Sequence, residues 1–396
     1  MKKKLDLAIL CGGKGKRLKE ITKNNSKPLL KLNNNKFLDI LINFYKKYDL
    51  NKIYLLVGHK SYLYKNYHNK LVNLTRIECI IENQPLGTGG ALYQLKNKIK
   101  NDFILINGDS YLDYDFIKFV SKFNQSKNIC KIALIKNANY KSNKKLTSLD
   151  LNKNKKLIFN EKSKYMNAGV YLFKKDIFKY IKKKKFISLE NEIIPKLIKK
   201  KLVFGEKNES FFIDIGTKKN LILARKNLLK NTMKKSIILD RDGVINYDYG
   251  YVYKYSNFKF KKGVIEFLKK LNTNKFKIII ITNQSGIGRG YYLKSDFFNL
   301  HKKIKSYLSK KNIFIDDVYF CPHHPRHAKD KYKKKCFCRK PKPGMILKAI
   351  KENNLDRREL FMVGDKRSDF LAAKNSSIKF FYAEENISKQ FKNIFN

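Results

Sequence analysis

The stretch Ser236-Ile-Ile-Leu-Asp240-Arg-Asp242-Gly-Val-Ile-Asn246 decides the fold of the C-terminal half of this chain. Its apolar run predicts a buried strand, and side chains two residues apart on a strand point to the same side. Asp240 and Asp242 would therefore face one site at the carboxyl end of that strand. One carboxylate could attack a phosphorus atom while the other moves the proton. The alternative interpretation is a strand that runs into an ordinary Asp-Gly turn.

Short apolar runs of the same kind alternate with longer amphipathic stretches along the whole chain. This pattern predicts an α/β fold with buried parallel strands and covering helices. The other runs are 7–10, 53–57, 103–106, 277–281 and 360–363. The basic run 228–235 ends one predicted helix before a new strand starts. We therefore expect two domains, 1–233 and 234–396.

The composition indicates a globular protein with an extreme positive charge. The chain has 396 residues, of which 43 % are hydrophobic, and its formal net charge is +55. A nucleic-acid partner is one interpretation of that charge. The other is a lysine bias spread over every exposed face, and this fits better because no single segment holds the excess. Nucleic acid is therefore not the expected partner, whereas phosphorylated small substrates are.

The apolar runs are too short for a membrane protein. None approaches the roughly 20 residues that a membrane helix needs. The first run ends in a glycine loop, which indicates a strand and not a signal peptide. We expect a cytoplasmic protein without a membrane partner, and a homo-oligomer is compatible with the sequence. In a reducing compartment the six cysteines favour a metal site over disulfides.

A glycine-rich loop follows the first strand. Gly12, Gly13 and Gly15 would let backbone N–H groups approach phosphates. Arg17 and Lys27 would add positive charge for a triphosphate. Such a turn alone is weak evidence for a nucleotide site.

This segment resembles the opening of the sugar-1-phosphate nucleotidyltransferases, whose pattern is GGxGTRL followed by PKPL. Further segments resemble the same family in the same order over roughly residues 5 to 230, namely 82–91, 107–109, 161–162, 167–173 and 212–217. The resemblance implies a Rossmann-like, GT-A-like domain. It also implies that a sugar 1-phosphate oxygen attacks the α-phosphorus of a nucleoside triphosphate, with pyrophosphate leaving. Positioning and charge neutralisation dominate such chemistry.

The resemblance also implies roles for single residues. Asp109 and Asp214 would hold Mg²⁺, and Lys27 would stabilise the departing pyrophosphate. Lys162 would bind the sugar phosphate, with contacts from the segment that holds Asn167 and Gly169.

Glu82 and Gly87 lie in the segment that resembles the base-reading part of that family. A carboxylate at position 82 can accept from N1–H and N2–H₂ of guanine, which favours GTP. A structural role for Glu82 is the alternative.

Three later segments follow the Asp240 stretch, at 281–286, 336–344 and 363–369. In this order the four resemble the motifs of the haloacid dehalogenase superfamily. The resemblance implies Asp240 as the nucleophile that forms an aspartyl-phosphate. Asp242 would be the acid/base and would offer its carbonyl to Mg²⁺. Thr282 and Lys340 would bind the phosphoryl group, and Asp365 would complete the Mg²⁺ site.

The spacing of these motifs predicts an open site. About forty residues separate Asp240 from Thr282 and about fifty-eight separate Thr282 from Lys340. Neither gap has room for a cap domain, so we expect a capless Rossmannoid domain whose loops set specificity. Asn283, Arg339 and Lys366 are the candidate substrate contacts among those loops.

A cysteine-rich loop precedes Arg339. Cys321-Pro-His323 and Cys336-Phe-Cys338 supply two ligand pairs that fit a closed tetrahedral Zn²⁺ site. His324 or His327 could replace His323, although the pattern CPHHP…CxCRKP favours His323. With four protein ligands the zinc would be structural, and it would set Arg339 and Lys340 at the phosphatase site.

These motifs together resemble the D-glycero-D-manno-heptose-1,7-bisphosphate 7-phosphatases, and histidinol-phosphate phosphatases share most of them. The fusion favours the heptose family, because its product is a sugar 1-phosphate, the substrate type of the N-terminal half. We therefore predict a bifunctional enzyme that makes a nucleotide heptose, most simply GDP-heptose, for a surface glycan such as lipopolysaccharide. The alternatives are another phosphorylated sugar, a histidinol-phosphate-type phosphatase fused to an unrelated nucleotidyltransferase, and a basic nucleic-acid-binding protein.

Overall fold

The computed structural model describes residues 4–18, 20–121, 123, 127–136, 149–182 and 186–395. The chain forms two compact units, one of residues 1–42 and 50–228 and the other of residues 43–49 and 229–396. The predicted domain boundary after residue 233 stays a prediction. None of the helices in the described part of the chain is long and apolar enough to span a membrane.

The first unit is built on a large mixed sheet. The strands up to residue 214 are β1 (Asp6–Leu10), β2 (Lys31–Leu32), β3 (Asn35–Lys36), β4 (Lys52–Val57), β5 (Leu71–Val72), β6 (Thr75–Ile81), β7 (Phe103–Asn107), β8 (Ser110–Leu112), β9 (Cys130–Lys136), β10 (Leu149–Leu151), β11 (Leu157–Phe159), β12 (Tyr165–Phe173), β13 (Val203–Asn208) and β14 (Phe212–Asp214). The order in the main sheet is β11-β10-β12-β7-β1-β4-β6-β5, with β9 paired to β12 and β13. A separate pair joins β14 to β8, and another joins β2 to β3.

The centre of this sheet is parallel, which brings several loops to one edge. β1 runs parallel to β4 and β7, with Leu10 in register with Leu56 and Asn107. Because parallel strands end at the same edge, the glycine loop after β1 and the Gly108-Asp109 turn after β7 lie side by side. The nucleotide-binding candidates are thus placed by the sheet.

The second unit holds a five-stranded parallel sheet. Its strands are β15 (Ser236–Asp240), β16 (Lys277–Asn283), β17 (Asp317–Cys321), β18 (Leu360–Gly364) and β19 (Lys379–Tyr382). Their order is β17-β16-β15-β18-β19, and all neighbours are parallel. Alternate side chains of β15 pack into separate cores, with Ile237 and Leu239 on one face and Ile238 on the other. Burial on both faces explains why the strand has an unbroken apolar run.

Eleven α-helices occur in the described part of the chain. They are α1 (Phe37–Tyr45), α2 (Gly87–Tyr93), α3 (Phe116–Val120), α4 (Ile194–Lys199), α5 (Lys218–Thr232), α6 (Val264–Thr273), α7 (Ser285–Arg289), α8 (Lys294–Lys310), α9 (Gly344–Asn353), α10 (Arg367–Lys374) and α11 (Ile387–Gln390). Between β15 and β16 the one α-helix is α6. The predicted α/β fold is confirmed, with parallel strands at the centre of both units and no separate cap domain among the described residues of the second.

Candidate active sites

The glycine loop of the first unit borders a cavity of about 910 Å³. The predicted residues that line it are Gly12, Gly13, Gly15, Lys27, Glu82, Gly87 and Asp109. The Lys27 ammonium lies 2.9 Å from Oδ2 of Asp109. A cation and a carboxylate side by side in a cleft can hold a triphosphate and the metal that accompanies it.

Glu82 packs against the glycine loop. A Cβ added to Gly12 would lie 3.3 Å from Oε1 of Glu82, and one added to Gly58 would lie 3.2 Å from Oε2. Burial raises the pKa of Glu82, and a hydrogen bond from the backbone N–H of Leu86 partly opposes this shift. The carboxylate therefore lies in the cavity wall, where it can accept hydrogen bonds from a ligand.

Two further predicted residues of this unit, Asp214 and Arg17, are not among the residues that line the cavity. Oδ1 of Asp214 accepts from the backbone N–H of Gly216 at 2.7 Å and from Asn220 at 3.1 Å. Asp214 pairs with Ser110 across β14 and β8, which puts it next to Asp109. The Arg17 guanidinium lies at the same turn, since a Cβ on Gly216 would be 3.2 Å from its Nη2.

Of the residues predicted to contact the sugar phosphate, Gly169 lies next to a residue of the cavity wall and Lys162 does not line the cavity. Gly169 has φ +73°, and a Cβ there would lie 2.6 Å from Nδ2 of Asn107, a cavity residue. Its backbone N–H donates to Oδ1 of Asn167 at 2.8 Å. Lys162 is exposed and is not among the lining residues.

Four lining residues were not identified from the sequence, namely Gly58, His59, Phe186 and Glu190. Phe186 and Glu190 border the cavity, and Oε2 of Glu190 accepts a hydrogen bond from the Thr88 hydroxyl at 2.6 Å. They lie about a hundred residues after Gly87, and no local motif marks them.

The second unit has a cavity of about 290 Å³ at the carboxyl ends of β15 and β16. The predicted residues that line it are Asp240, Asp242, Thr282, Asn283, Arg339, Lys340 and Lys366. Asp365 lies beside it, because Asp240, Asp365 and Asp369 offer carboxylate oxygens within 4.8 Å of one another. The structure thus assembles every residue predicted for this site.

Lys340 is fully buried between two carboxylates. Its Nζ lies 2.8 Å from Oδ1 of Asp240 and 2.6 Å from Oδ1 of Asp369. Burial disfavours the charged form of Lys340, yet the two carboxylates hold its pKa above the ordinary value. Burial also raises the pKa of Asp240, while the Lys340 charge opposes that shift. A buried cation here can bind the oxygens of a phosphoryl group.

The backbone of Lys340 is clamped by Asn283. Nδ2 of Asn283 donates to the Lys340 carbonyl, and the Lys340 N–H donates back to Oδ1, both at 3.1 Å. Asn283 therefore positions Lys340. Lys366 makes an ion pair with Asp248 at 2.9 Å, and Nη1 of Arg339 donates to the His323 carbonyl at 3.2 Å.

Arg241 holds the second aspartate of the opening motif. This arginine is 1 % exposed, and its Nε and Nη2 donate to Oδ1 of Asp242 at 3.0 and 2.8 Å. Asn246 and Gln284 also donate to this carboxylate, each at 3.0 Å. Neither Arg241 nor Gln284 was a predicted site residue, although both lie inside the quoted motifs.

The four predicted zinc ligands lie together. Sγ of Cys338 is 3.3 Å from Sγ of Cys321 and 3.4 Å from Sγ of Cys336. Nδ1 of His323 is 3.4 Å from Sγ of Cys338 and 3.5 Å from Sγ of Cys321. A cluster of three thiols and one imidazole is the donor set that a tetrahedral metal site needs.

The two alternative histidines of this loop are engaged with each other. Nδ1 of His324 accepts from the backbone N–H of His327 at 3.1 Å, and the two rings lie 4.9 Å apart. Among the described residues, the metal-ligand cluster of this loop contains His323 and neither of these two.

Comparison with known proteins divides the chain in the same way. The nucleotidyl transferase family model matches residues 7–231, and the polynucleotide kinase 3 phosphatase model matches residues 235–387. The D-glycero-beta-D-manno-heptose-1,7-bisphosphate 7-phosphatase of Pasteurella multocida is 47 % identical over 147 residues, which are 37 % of this chain and 79 % of that protein.

Two solved structures resemble one unit each. HddC from Yersinia pseudotuberculosis, solved in complex with GMP-PN, is 26 % identical with a TM-score of 0.46, over 57 % of this chain and 99 % of that chain. The D,D-heptose 1,7-bisphosphate phosphatase of B. bronchiseptica, solved with magnesium and phosphate, is 29 % identical with a TM-score of 0.35, over 40 % of this chain and 86 % of that chain. The chain is a bifunctional enzyme that belongs to the nucleotidyl transferase family through residues 7–231 and to the heptose-bisphosphate phosphatase family through its C-terminal part.

Proposed function

We propose that the second unit removes the 7-phosphate of D-glycero-D-manno-heptose 1,7-bisphosphate and that the first unit joins the resulting heptose 1-phosphate to a nucleotide. The observation that carries the phosphatase substrate is the 47 % identity to the Pasteurella multocida enzyme of that name. The pairing of the two family domains in one chain supports the second step, because the phosphatase product is a sugar 1-phosphate.

The phosphatase step uses the residues around Lys340. A carboxylate oxygen of Asp240 attacks the phosphorus of the 7-phosphate, and the bond from phosphorus to the sugar oxygen breaks. Asp242 gives a proton to that departing oxygen. Water then attacks the aspartyl-phosphate, Asp242 takes the proton, and phosphate leaves with Asp240 restored. Lys340 and the hydroxyl of Thr282 bind the transferring phosphoryl oxygens.

The residues beside Asp240 fit a magnesium ion. Oδ1 of Asp365 is buried and has no hydrogen-bond partner among the described residues, as expected of a metal ligand. We assign this ion to the carboxylates of Asp240 and Asp365 and to the carbonyl of Asp242. When bound, Mg²⁺ would neutralise phosphoryl charge and keep Asp240 ionised.

We assign a structural zinc ion to Cys321, His323, Cys336 and Cys338. The three thiols and the imidazole nitrogen converge on one point, and soft sulfur ligands favour zinc over magnesium. When bound, the ion would tie the loop together, and the hydrogen bond from Arg339 to the His323 carbonyl links this loop to the cavity.

In the first unit, the 1-phosphate oxygen of the sugar attacks the α-phosphorus of a nucleoside triphosphate, and pyrophosphate leaves. We assign Mg²⁺ to Asp109 and Asp214, which adjacent strands hold together. Lys27 neutralises charge on the pyrophosphate, and Arg17 adds positive charge beside Asp214. Lys162, Asn167 and Gly169 are assigned to the sugar phosphate.

We propose GTP as the nucleotide, because the Glu82 carboxylate lies in the cavity wall and can accept from two N–H groups of guanine. The product would then be GDP-heptose for a surface glycan such as lipopolysaccharide. A nucleoside triphosphate substrate implies a compartment that supplies it, so the proposal includes a cytoplasmic location.

The test is to incubate the full chain with the heptose 1,7-bisphosphate, Mg²⁺ and each of the four nucleoside triphosphates, with mass detection of nucleotide sugars. The expected result is release of one phosphate and formation of GDP-heptose. A panel of other sugar bisphosphates and histidinol phosphate serves as the control. Equal phosphate release from all of them would overturn the heptose assignment.

A further inference from the structure

Gln284 connects two groups of the phosphatase site. It follows β16, is 3 % exposed, and its Nε2 donates to Oδ2 of Asp242 at 3.0 Å and to Oγ1 of Thr282 at 2.9 Å. A side-chain amide carries two N–H donors, so both are used. Gln284 therefore bonds the acid/base and a phosphoryl-binding hydroxyl at the same time.

The orientation of the Gln284 amide is set by Tyr292. The Tyr292 ring is 5 % exposed and stacks on Tyr253 with 4.7 Å between ring centroids. Its hydroxyl donates to Oε1 of Gln284 at 2.6 Å. Burial raises the pKa of Tyr292 far above its usual range, so the phenol keeps its proton and acts as the donor. The carbonyl end of the amide must face Tyr292, and its N–H groups must face Asp242 and Thr282.

The hydrogen bond from Gln284 decides where the Thr282 hydroxyl points. Among the described residues, the Thr282 hydroxyl makes one hydrogen bond, in which its oxygen accepts from Nε2 of Gln284. The hydroxyl hydrogen is therefore left to donate elsewhere, and Thr282 lines the cavity. A donor held toward the phosphoryl position before substrate binds has no reorganisation cost during the reaction.

We propose that Gln284 and Tyr292 are positioning residues of the phosphatase: Gln284 directs the Thr282 hydroxyl and holds Asp242, and Tyr292 acts through Gln284. This inference rests on the proposed phosphatase function. Both residues line the cavity, and we expect their effect to be on the reaction rate, because their hydrogen bonds lead to Asp242 and Thr282.

The test is a double-mutant cycle with Tyr292→Phe and Gln284→Met in the full chain, measured as phosphate release. We expect Gln284→Met to lower kcat by about 10- to 100-fold and Tyr292→Phe by about 3- to 10-fold, with KM within about twofold. In the Gln284→Met background, Tyr292→Phe should have no further effect, because its partner is gone. Tyr253→Phe, which removes a neighbouring phenol with no hydrogen bond to Gln284, is the matched control and should leave kcat unchanged.

An equal loss from Tyr292→Phe in both backgrounds would overturn the inference, and so would a change confined to KM. Gln284→Glu covers the case in which the methionine variant fails to fold. It keeps the length of the side chain but removes the amide donors to Asp242 and Thr282, so kcat should fall at least as far as in Gln284→Met, with KM within about twofold. A kcat equal to that of the wild type would contradict a contact that matters in catalysis.

Two further measurements separate this inference from the proposed function. Circular dichroism and thermal unfolding report whether the phosphatase unit of each variant is folded, which nucleotidyl transfer by the other unit cannot show. If the wild type releases no phosphate from the heptose bisphosphate, the proposed substrate is wrong, and the same cycle on p-nitrophenyl phosphate still tests Gln284 and Tyr292.

Discussion

At the scale of single residues, Gly243 follows Asp242 and lies against the side chain of Asp365, another residue of the proposed magnesium site. Its φ is +86°, and a Cβ there would lie 2.2 Å from Oδ2 of Asp365. Glycine is therefore required both by the backbone conformation and by the close carboxylate.

Gly243→Ala should displace Asp365 and lower phosphate release by about tenfold or more, with a higher Mg²⁺ requirement, because a few tenths of an ångström matter in such a site. Gly290→Ala is the matched control, since φ there is +80° but the nearest atom to the added Cβ is 3.9 Å away. The control should cost about 1 kcal/mol of stability and keep the Mg²⁺ dependence. The measurement is the rate of phosphate release at increasing Mg²⁺ concentration for both variants. The same Mg²⁺ dependence in Gly243→Ala and Gly290→Ala would argue against Asp365 as a ligand.

Lys277 gives a pH-dependent prediction. Burial lowers its pKa to about 8, while the nearby Asp316 carboxylate opposes the shift and Lys234 adds to it. Between that value and its ordinary 10.5, the unfolded chain binds a proton that the folded chain lacks, so stability rises with pH across this window.

Lys277→Met removes this dependence. The variant should be more stable than the wild type at pH 7, by up to about 3 kcal/mol, and the difference should shrink toward pH 10. The free energy of unfolding of both proteins is measured by urea unfolding at several pH values, followed through the loss of phosphate release. Lys269→Met, at an exposed site on α6, is the control and should show a constant difference. If the stability difference between Lys277→Met and the wild type grew with pH, the pKa of Lys277 would not be lowered in the folded chain.

At the scale of elements, the loop between β17 and α9 depends on its proposed metal. Cys336 and Cys338 directly precede Arg339 and Lys340 in the chain, so the ion would fix the segment that enters the cavity. Such supporting interactions are worth about 10- to 100-fold in activity.

Cys338→Ser, or removal of zinc by a chelator, should lower phosphate release by about 10- to 100-fold and leave nucleotidyl transfer unchanged. Metal analysis of the full chain should find one zinc ion in the wild type and less in the variant. Cys79→Ser, at a thiol outside the cluster, is the matched control. Full activity of zinc-free protein would rule out the proposed role.

Also at this scale, the sequence could predict the phosphatase site almost completely, because its residues follow strands that are parallel neighbours. Asp240, Thr282 and Asp365 each come at or just after the end of β15, β16 or β18, and such ends share one edge of a sheet. The ion pair from Lys340 to Asp369 and the Tyr292–Gln284 contact could not be predicted, since they depend on side-chain directions in loops.

The nucleotide cavity was predicted less well. The glycine loop and Asp109 follow the neighbouring strands β1 and β7, and they line the cavity as expected. Phe186 and Glu190 reach it from a distant segment that packs on α2, where the Ile187 carbonyl accepts from the Gly89 N–H at 2.9 Å. No periodicity or motif carries information about such a long-range contact.

At the scale of the whole molecule, the two sites belong to separate units, and we expect them to work independently. Asp240→Asn should abolish phosphate release, by at least about a thousandfold, because an amide cannot act as the nucleophile. It should leave transfer from purified heptose 1-phosphate intact. Asp109→Asn should do the reverse, because it removes the proposed magnesium ligand and the partner of Lys27.

Separate assays of phosphate and pyrophosphate release, each with its own substrate, check this pair of variants. The activity that each variant keeps shows that its unmutated unit is still folded. Loss of both activities in either variant would show that the sites are not independent.

The presence of both units in one chain fixes their ratio in the cell at one to one. An organism with separate genes can adjust the relative amounts of phosphatase and transferase through expression, whereas here only the rate constants can be tuned. Evolution must therefore balance the two steps by substitutions that change the rate of each unit. A mutation that slows one half cannot be offset by making more of that half alone.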